Sequence, residues 1–463
     1  MRTFRYIFII LSAIAISTPS IAQKQMPPPG GTPKDFVLPE KKVSHLKNGL
    51  KSTLVQYGSV PKVNVNLVIK TGNINEGSNE VWLADLTGNL MQEGTTSMDF
   101  KTISRKVAAM GGEINIGVGG DNTSVSGSVL SEYAPELVKI IADVVMNPAL
   151  PASEVDRLKG DLKRQLSVQK SQPQSQAIES FNSIIYKDHP YGRIFPTQEM
   201  LSGYSIDMVK KFYENNFGAK RSVLYVVGKF DEAATQKAIE EAFGSWKEGP
   251  EPNYPQATPN TTPEVSIIDR PAAPQTTVII GLPTITPQHD DYVALQVANS
   301  LLGGSFGSRI TSNIRENKGY TYSPFSTISN NKNTSVWYEQ ADITSEHTGD
   351  ALQEIANEVS RLQNEPPPAE ELKGIQNYMA GIFVLQNSTP GGIISQLNFI
   401  ETHGLDDSYL TDRVKNIHAV TPEKVSAIAK DHFKYENMTL VLVGDKKLLD
   451  QQMKSFQEVK KMK

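Results

Sequence analysis

Cysteine is absent from the sequence. That excludes disulfide frameworks, thiolate zinc sites, iron–sulfur clusters, cysteine nucleophiles and a lipid anchor on an N-terminal cysteine. No charge of one sign dominates either. The 46 Lys and Arg stand against 50 Asp and Glu, a formal net of −4, so the chain does not read as a basic nucleic-acid binder or a self-repelling disordered polymer. Histidine is scarce and scattered. Residues His45, His189, His289, His347, His403, His418 and His432 include no pair three or four apart, so no single helix offers two imidazoles to a metal. Long apolar runs are missing as well. The longest, Ile7 to Ile16, falls short of the about 20 residues needed to cross a bilayer core, and no membrane span is expected.

What is present is the mix of a globular protein, 38% hydrophobic and 21% charged, with enough apolar residues to bury cores. Arg2 and Arg5 precede the short apolar run, and Ser20-Ile21-Ala22 puts small residues where a signal peptidase cuts. Residues 1–22 are therefore expected to be a cleaved signal peptide, which makes the mature protein periplasmic or secreted. Residues 23–39 form a Pro/Gly-rich lead-in. Prolines 250, 252, 255, 259 and 263 forbid a continuous helix or central strand across 249–263, which reads as a linker. It separates halves at 40–248 and 264–463.

The halves repeat one another. Pro151-Ala152-Ser153-Glu154-Val155 matches Pro368-Ala369-Glu370-Glu371-Leu372, Ser131-Glu132 matches Ser345-Glu346, and Val223 to Gly228 matches Leu440 to Gly444. All three pairs share an offset of about 215 residues, the mark of a duplicated domain. Alternation predicts strands over Val63 to Lys70 and Gly117 to Leu130, while helical spacing runs over Trp82 to Met91, Phe100 to Met110, Glu136 to Met146 and Glu154 to Gln169. Asp291 to Leu302 reads as the second half's version of the last of these, ended by Gly303-Gly304. Strands and helices do not alternate strictly. The fold class expected is α+β: two homologous domains, each a mainly antiparallel sheet packed with helices.

The run Gly303-Gly304-Ser305-Phe306-Gly307-Ser308 lacks the Gly-Lys-Ser/Thr ending of a phosphate loop and follows a helix, so it reads as a turn between helices. Phe306, Ile310 and Ile314 are expected to share a helical stripe, with Gly319 ending the helix. Arg315 would then sit near a helix C-terminus, where a cation complements the dipole, and Tyr322 would be a half-buried aromatic on the strand that leaves.

The string from Gly303 to Ser323 resembles the C-terminal-domain signature of the M16 (pitrilysin/insulinase-type) metallopeptidases, in the short subfamily related to mitochondrial processing peptidase. The likeness spans nearly the whole mature chain. It includes the duplicated domain, Met91-Gln92-Glu93-Gly94-Thr95, Gly111-Gly112 followed by Asn115, Asp121 and Thr123, and His189-Pro190-Tyr191-Gly192. It implies the fold of the M16 peptidase/LuxS-like metallohydrolase type. It also implies that Arg315 and Tyr322, with the family's seven-residue spacing, grip substrate backbone near the scissile bond.

Active members of that family carry His-x-x-Glu-His on a helix just before a Gly-Thr pair, two imidazoles and a base for a zinc-bound water. Counted back from Gly94-Thr95, those positions are Asp85, Gly88 and Asn89, and the third ligand falls on Gln165. All four are replaced, so no metal is expected on this chain and it should be inactive alone. The resemblance implies a dimer in which a partner subunit with the intact His-x-x-Glu-His supplies the zinc, while this chain, exported and noncatalytic, holds peptide substrate. The alternative is a catalytically dead peptide-binding or structural scaffold. By the same resemblance Asn115-Ile116 matches the strand to which family substrates add by β-augmentation, although Asn115 could equally lie in an ordinary core strand.

Overall fold

The computed structural model describes residues 36–461, with side chains through residue 453. The expected signal peptide and the lead-in up to residue 35 lie outside the described residues. Two sheets organise the rest. The first takes β1 (Lys41–His45), β2 (Lys51–Gln56), β3 (Lys62–Ile69), β4 (Glu113–Val118), β5 (Thr123–Leu130) and β6 (Ser222–Gly228), in the order β1-β2-β6-β3-β5-β4. The second takes β7 (Val265–Asp269), β8 (Gln275–Thr284), β9 (Phe325–Asn331), β10 (Thr334–Thr344) and β11 (Thr439–Gly444), in the order β7-β11-β8-β10-β9. Among the described residues each contains a single parallel pair, β2 with β6 and β7 with β11; the other pairs are antiparallel. Without β1, the two orders are the same. Duplication is thus visible in topology as well as in sequence.

The expected strand from Gly117 to Leu130 is instead a hairpin. Gly119 N–H donates to Asn122 O at 2.8 Å, and the chain turns through residues 119–122 so that β4 and β5 pair. Glycines 119 and 120 supply the turn. The repeat unit beginning at Ser131 opens with one tight turn of helix before Ala134–Met146, and that at Ser345 does the same before Thr348–Asn364. The counterpart of the helix Val155–Ser171 is Ala369–Gln386, which follows the matching Pro-Ala motif. Tyr292–Leu302 corresponds instead to Leu83–Gln92, since each leads from the sheet into the glycine-bearing turn that follows it.

Both middle strands read as unbroken apolar runs because both of their faces are covered. On β6, Leu224 and Val226 face the first lobe's own core, while Val223, Tyr225 and Val227 meet Ile393, Leu397 and Ile400 of the helix Pro390–His403. On β11, Leu440 and Leu442 face the second core, while Val441 and Val443 meet Ala177, Phe181 and Ile185 of the helix Pro173–Tyr186. Each half of the chain therefore lends a helix to the other's sheet. Removing either would expose a full strip of β-branched and aromatic surface, so the halves are locked by apolar burial.

No helix or strand occurs from 249 to 263. Its path is pinned by a buried cation. Arg221 Nη2 donates to Glu251 O at 2.6 Å and Nε to Pro250 O at 3.3 Å, while Nη1 donates to Thr71 Oγ1 at 2.5 Å and Asn216 O at 3.0 Å. Truncation would leave four acceptors without this donor. Arg221→Ala is expected to cost roughly 2–4 kcal/mol, judged from hydrogen bonds to charged groups, as read by urea unfolding. Arg221→Lys should not restore it, because one ammonium cannot span the fork. Unchanged stability in the alanine variant would refute the clamp.

Candidate functional site

The helix Leu83–Gln92 carries three of the four positions at which a zinc motif would sit. Its N-cap residue, Trp82, is left-handed at φ 69° and offers no capping side chain. Glu76 does that work instead: Oε2 accepts from Trp82 N–H at 3.1 Å, and Oε1 accepts from Ala84 N–H at 2.8 Å and Asn73 Nδ2 at 3.0 Å. The same Asn73 amide donates to Asp85 Oδ2 at 2.7 Å. Burial pushes Glu76 up to about 8 against these donors, and burial also raises Asp85. Asp85 is thus committed to a structural amide next to a second buried carboxyl.

The other positions fit a metal no better. Gly88 is buried, and a Cβ there would come 2.7 Å from Val118 Cγ2 on β4. Val118 therefore fills the space a glutamate side chain would need. Asn89 is half-buried and, as an amide, a poor partner for zinc beside an oxygen-only set. Gln165 lies on the helix Val155–Ser171, whose Leu158, Leu162 and Leu166 face the core while Gln165 itself is exposed. Among the described residues no group of three His, Asp or Glu side chains is placed to hold a metal. These residues do not fit a zinc ion, and no step can be routed through one here.

Among the described residues, strand β4 is the outer strand of its sheet, pairing only with β5. Ile116 O accepts from Gln92 Nε2 at 3.0 Å rather than from a neighbouring strand. By antiparallel alternation, the backbone groups of 114 and 118 turn outward with those of 116. Asn115 is exposed, and a cleft of about 370 Å³ runs beside it, lined by Gln92, Phe100, Ser104, Glu113, Ile114 and Ile116 among others.

In the second lobe, Tyr292–Leu302 ends at Gly303, and the turn through Ser308 leads into a short helix that widens to π geometry over Thr311–Asn317. Lys318 N–H reaches back to Asn313 O, five residues, and Gly319 closes the helix at φ 66°. Wide turns of this kind recur at functional sites. Ile310 and Ile314 are buried as expected, but Phe306 lies in the turn and is 69% exposed. Its ring sits 4.5 Å from the Arg315 guanidinium carbon, and the Tyr322 ring sits 4.8 Å from it. Tyr322 precedes β9 rather than lying on it and is 79% exposed, not half-buried. Arg315 is mostly covered by these neighbours, at 21% exposed, with Nε 3.3 Å from Glu316.

So the structure brings the partly covered Arg315 and the exposed Tyr322 together. It also supplies supports that spacing alone did not reveal. Arg309 is buried and makes two parallel 2.8 Å bonds to Glu371, fixing the turn to the helix Ala369–Gln386. Phe306 was hidden by its fit to the i, i+4 pattern; the glycines at 304 and 307 around it were the available sign of a turn. By spelling, Gly303 to Gly307 also fits Gly-x-Ser-x-Gly, but it leaves a helix rather than a strand and Ser305 Oγ donates to Ser300 O at 2.9 Å. It is no nucleophile elbow.

Beneath Gly303 lies Glu339, fully buried on β10 with neither carboxyl oxygen hydrogen-bonded. A Cβ at Gly303 would stand 2.5 Å from Glu339 Oε2 and 2.6 Å from Ser326 Oγ, so a larger residue there would have to displace both side chains. Burial raises Glu339 well above the ordinary carboxyl value. A raised acid contributes its stability fully below its unfolded value and loses it as pH climbs towards the folded one. Glu339→Met is therefore expected to stabilise by about 1–3 kcal/mol, from removal of an unsatisfied buried polar group, and to gain more at pH 8 than at pH 5. Thermal melts at the two pH values read this; equal or lower stability of the variant at pH 8 would be the contrary result.

Comparison with known proteins gives a consistent picture. Residues 53–197 match the family description "Insulinase (Peptidase family M16)" and residues 204–379 match "Peptidase M16 inactive domain". An uncharacterized zinc protease of Mycobacterium tuberculosis is 23% identical over 418 residues, covering 89% of this chain and 95% of that protein. One from Rickettsia bellii is 27% identical over 327 residues, covering 69% of this chain and 77% of its own length. Among solved structures, a peptidase M16 inactive domain from Pseudomonas fluorescens superimposes with a TM-score of 0.80 at 22% identity over 88% of this chain and 98% of that one. A protease from Helicobacter pylori does so with 0.82 at 19% identity, covering 88% and 100%.

Proposed function

Because the chain belongs to peptidase family M16 while its own residues do not fit the family's zinc, we propose that it is the noncatalytic subunit of an exported M16 heterodimer. It holds peptide substrate for a partner that carries His-x-x-Glu-His and the zinc. The observation that carries this reading is the pairing of Arg315 with Tyr322 beside a braced turn, the tyrosine open to an incoming ligand and the guanidinium partly so. An exposed tyrosine stacked on an arginine does little for stability, and it is well suited to gripping a peptide carbonyl with a planar donor fork and a hydroxyl. As the carbonyl gathers negative charge during attack in the partner's site, those donors stabilise it.

The outward backbone groups of β4 supply a second hold. An extended peptide can add there as a further strand, with Asn115 beside it and Gln92 yielding its bond to Ile116 O.

The test is to tag the protein, purify it from the cells that make it and identify by mass spectrometry what remains bound. Recovery of a stoichiometric subunit containing His-x-x-Glu-His supports the proposal. Recovery of the chain alone, or in an assembly without such a subunit, overturns it in favour of a peptide-binding or structural scaffold.

A further inference from the structure

We infer that Phe306 is a positioning residue for Arg315 and that, with Tyr322, it forms a subsite for an apolar side chain of the bound peptide, next to the carbonyl Arg315 holds. This rests on the reading of Arg315 and Tyr322 as a substrate grip.

Phe306 is displayed at a cost. Its ring is 69% exposed in a turn with glycine at 304 and 307, so the fold gains little from burying it. The ring packs on the Arg315 guanidinium at 4.5 Å, and that guanidinium has the Tyr322 ring at 4.8 Å. Flanking rings restrict a long, rotamer-rich side chain to one plane before any ligand arrives. The entropy of fixing it is then settled in folding rather than in binding. Glu316 takes only Nε, at 3.3 Å and from an exposed position, a weak tether. The terminal nitrogens of Arg315 stay available as parallel donors.

The chemistry of the ligand follows from what surrounds those donors. A guanidinium fork suits a carbonyl or a developing oxyanion. The two rings add apolar surface within a side chain's reach of it, because their guanidinium-facing sides leave the rest open to solvent. In an extended peptide one residue's carbonyl and side chain lie close enough to use both. The subsite therefore selects leucine, methionine or aromatic residues over serine or charged ones at that position. Arg309, locked to Glu371, sets the turn so that Phe306 falls over Arg315.

The experiment uses the full mature chain and two fluorescein-labelled, C-terminally amidated twelve-residue peptides, identical except that leucines in one are serines in the other. Anisotropy should give about tenfold tighter binding of the leucine peptide, and Phe306→Ala should remove about that factor and the preference with it, as expected for losing an aromatic contact and a cation–π partner. Phe306→Trp should retain both, whereas Phe306→Leu should lose affinity. Melting temperatures should not change, since the ring is exposed. If Phe306→Ala binds and discriminates like the wild type while Arg315→Ala does not bind, the inference fails and the grip stands. If Arg315→Ala binds like the wild type, the grip itself fails.

Discussion

In the proposed complex with a zinc-bearing partner, Arg315→Ala should lower kcat/KM for a peptide by roughly 10²–10³, the usual effect of losing one oxyanion donor. Tyr322→Phe should cost less than Arg315→Ala but still lower the rate, and the double variant should fall short of the product of the two, because the ring and the guanidinium brace one another at 4.8 Å. Folding should be unaffected in each case. Tyr322 is exposed, and the one ion pair of Arg315 among the described residues is a 3.3 Å contact to the exposed Glu316. Steady-state kinetics with partner in excess, beside thermal melts, separates the two effects. Wild-type kcat/KM in both single variants would remove Arg315 and Tyr322 from the reaction.

The second expectation concerns the lost metal site. Writing the motif back in as Asp85→His, Gly88→Glu, Asn89→His and Gln165→Glu should not yield a zinc protein. The glutamate introduced at position 88 would collide with Val118, whose Cγ2 lies 2.7 Å from where its Cβ must go, and valine has little freedom to rotate away. Overpacking of this kind costs about 1–3 kcal/mol, and the histidine introduced at position 85 would forfeit the Asn73 bond beside Glu76. Adding Val118→Ala should admit the glutamate and raise zinc retention after gel filtration from none to near one per chain. Elemental analysis of the two variants decides it. Stoichiometric zinc with Val118 in place would show that the motif alone had been missing.

The two expectations differ in how far the sequence announced them. That the first half offers no pair of imidazoles on one helix was legible outright, because histidine is absent between His45 and His189 and no folding can supply one. The α+β class and the repeat were legible too, since unbroken apolar strands such as Val223 to Gly228 recur with their turn residues at one offset. What those runs did not reveal was their second cover. Each is buried by a helix from the opposite half, a long-range pairing that leaves no local periodicity. The hairpin at 119–122 was missed because Gly117 and Val118, which end β4, lie so close to the Thr, Ser and Val run of β5 that the two strands read as one. Phe306 was misplaced for the opposite reason: it fits a four-residue spacing by coincidence, and the glycines around it break the helix. Val118 and Arg309 act through contacts made only in the folded chain, so no pattern in the sequence marks them.

The central claim, a chain that holds substrate but performs no chemistry, is tested most directly by three peptidase assays on an unstructured quenched-fluorescent peptide. The samples are this chain, the purified His-x-x-Glu-His subunit proposed as its partner, and the two mixed at equal concentration, all with zinc present. Cleavage in the mixture alone, abolished by substituting the partner's glutamate and strongly reduced by Arg315→Ala here, is the predicted result. Full cleavage by the partner without this chain, or cleavage by this chain without the partner, would contradict it.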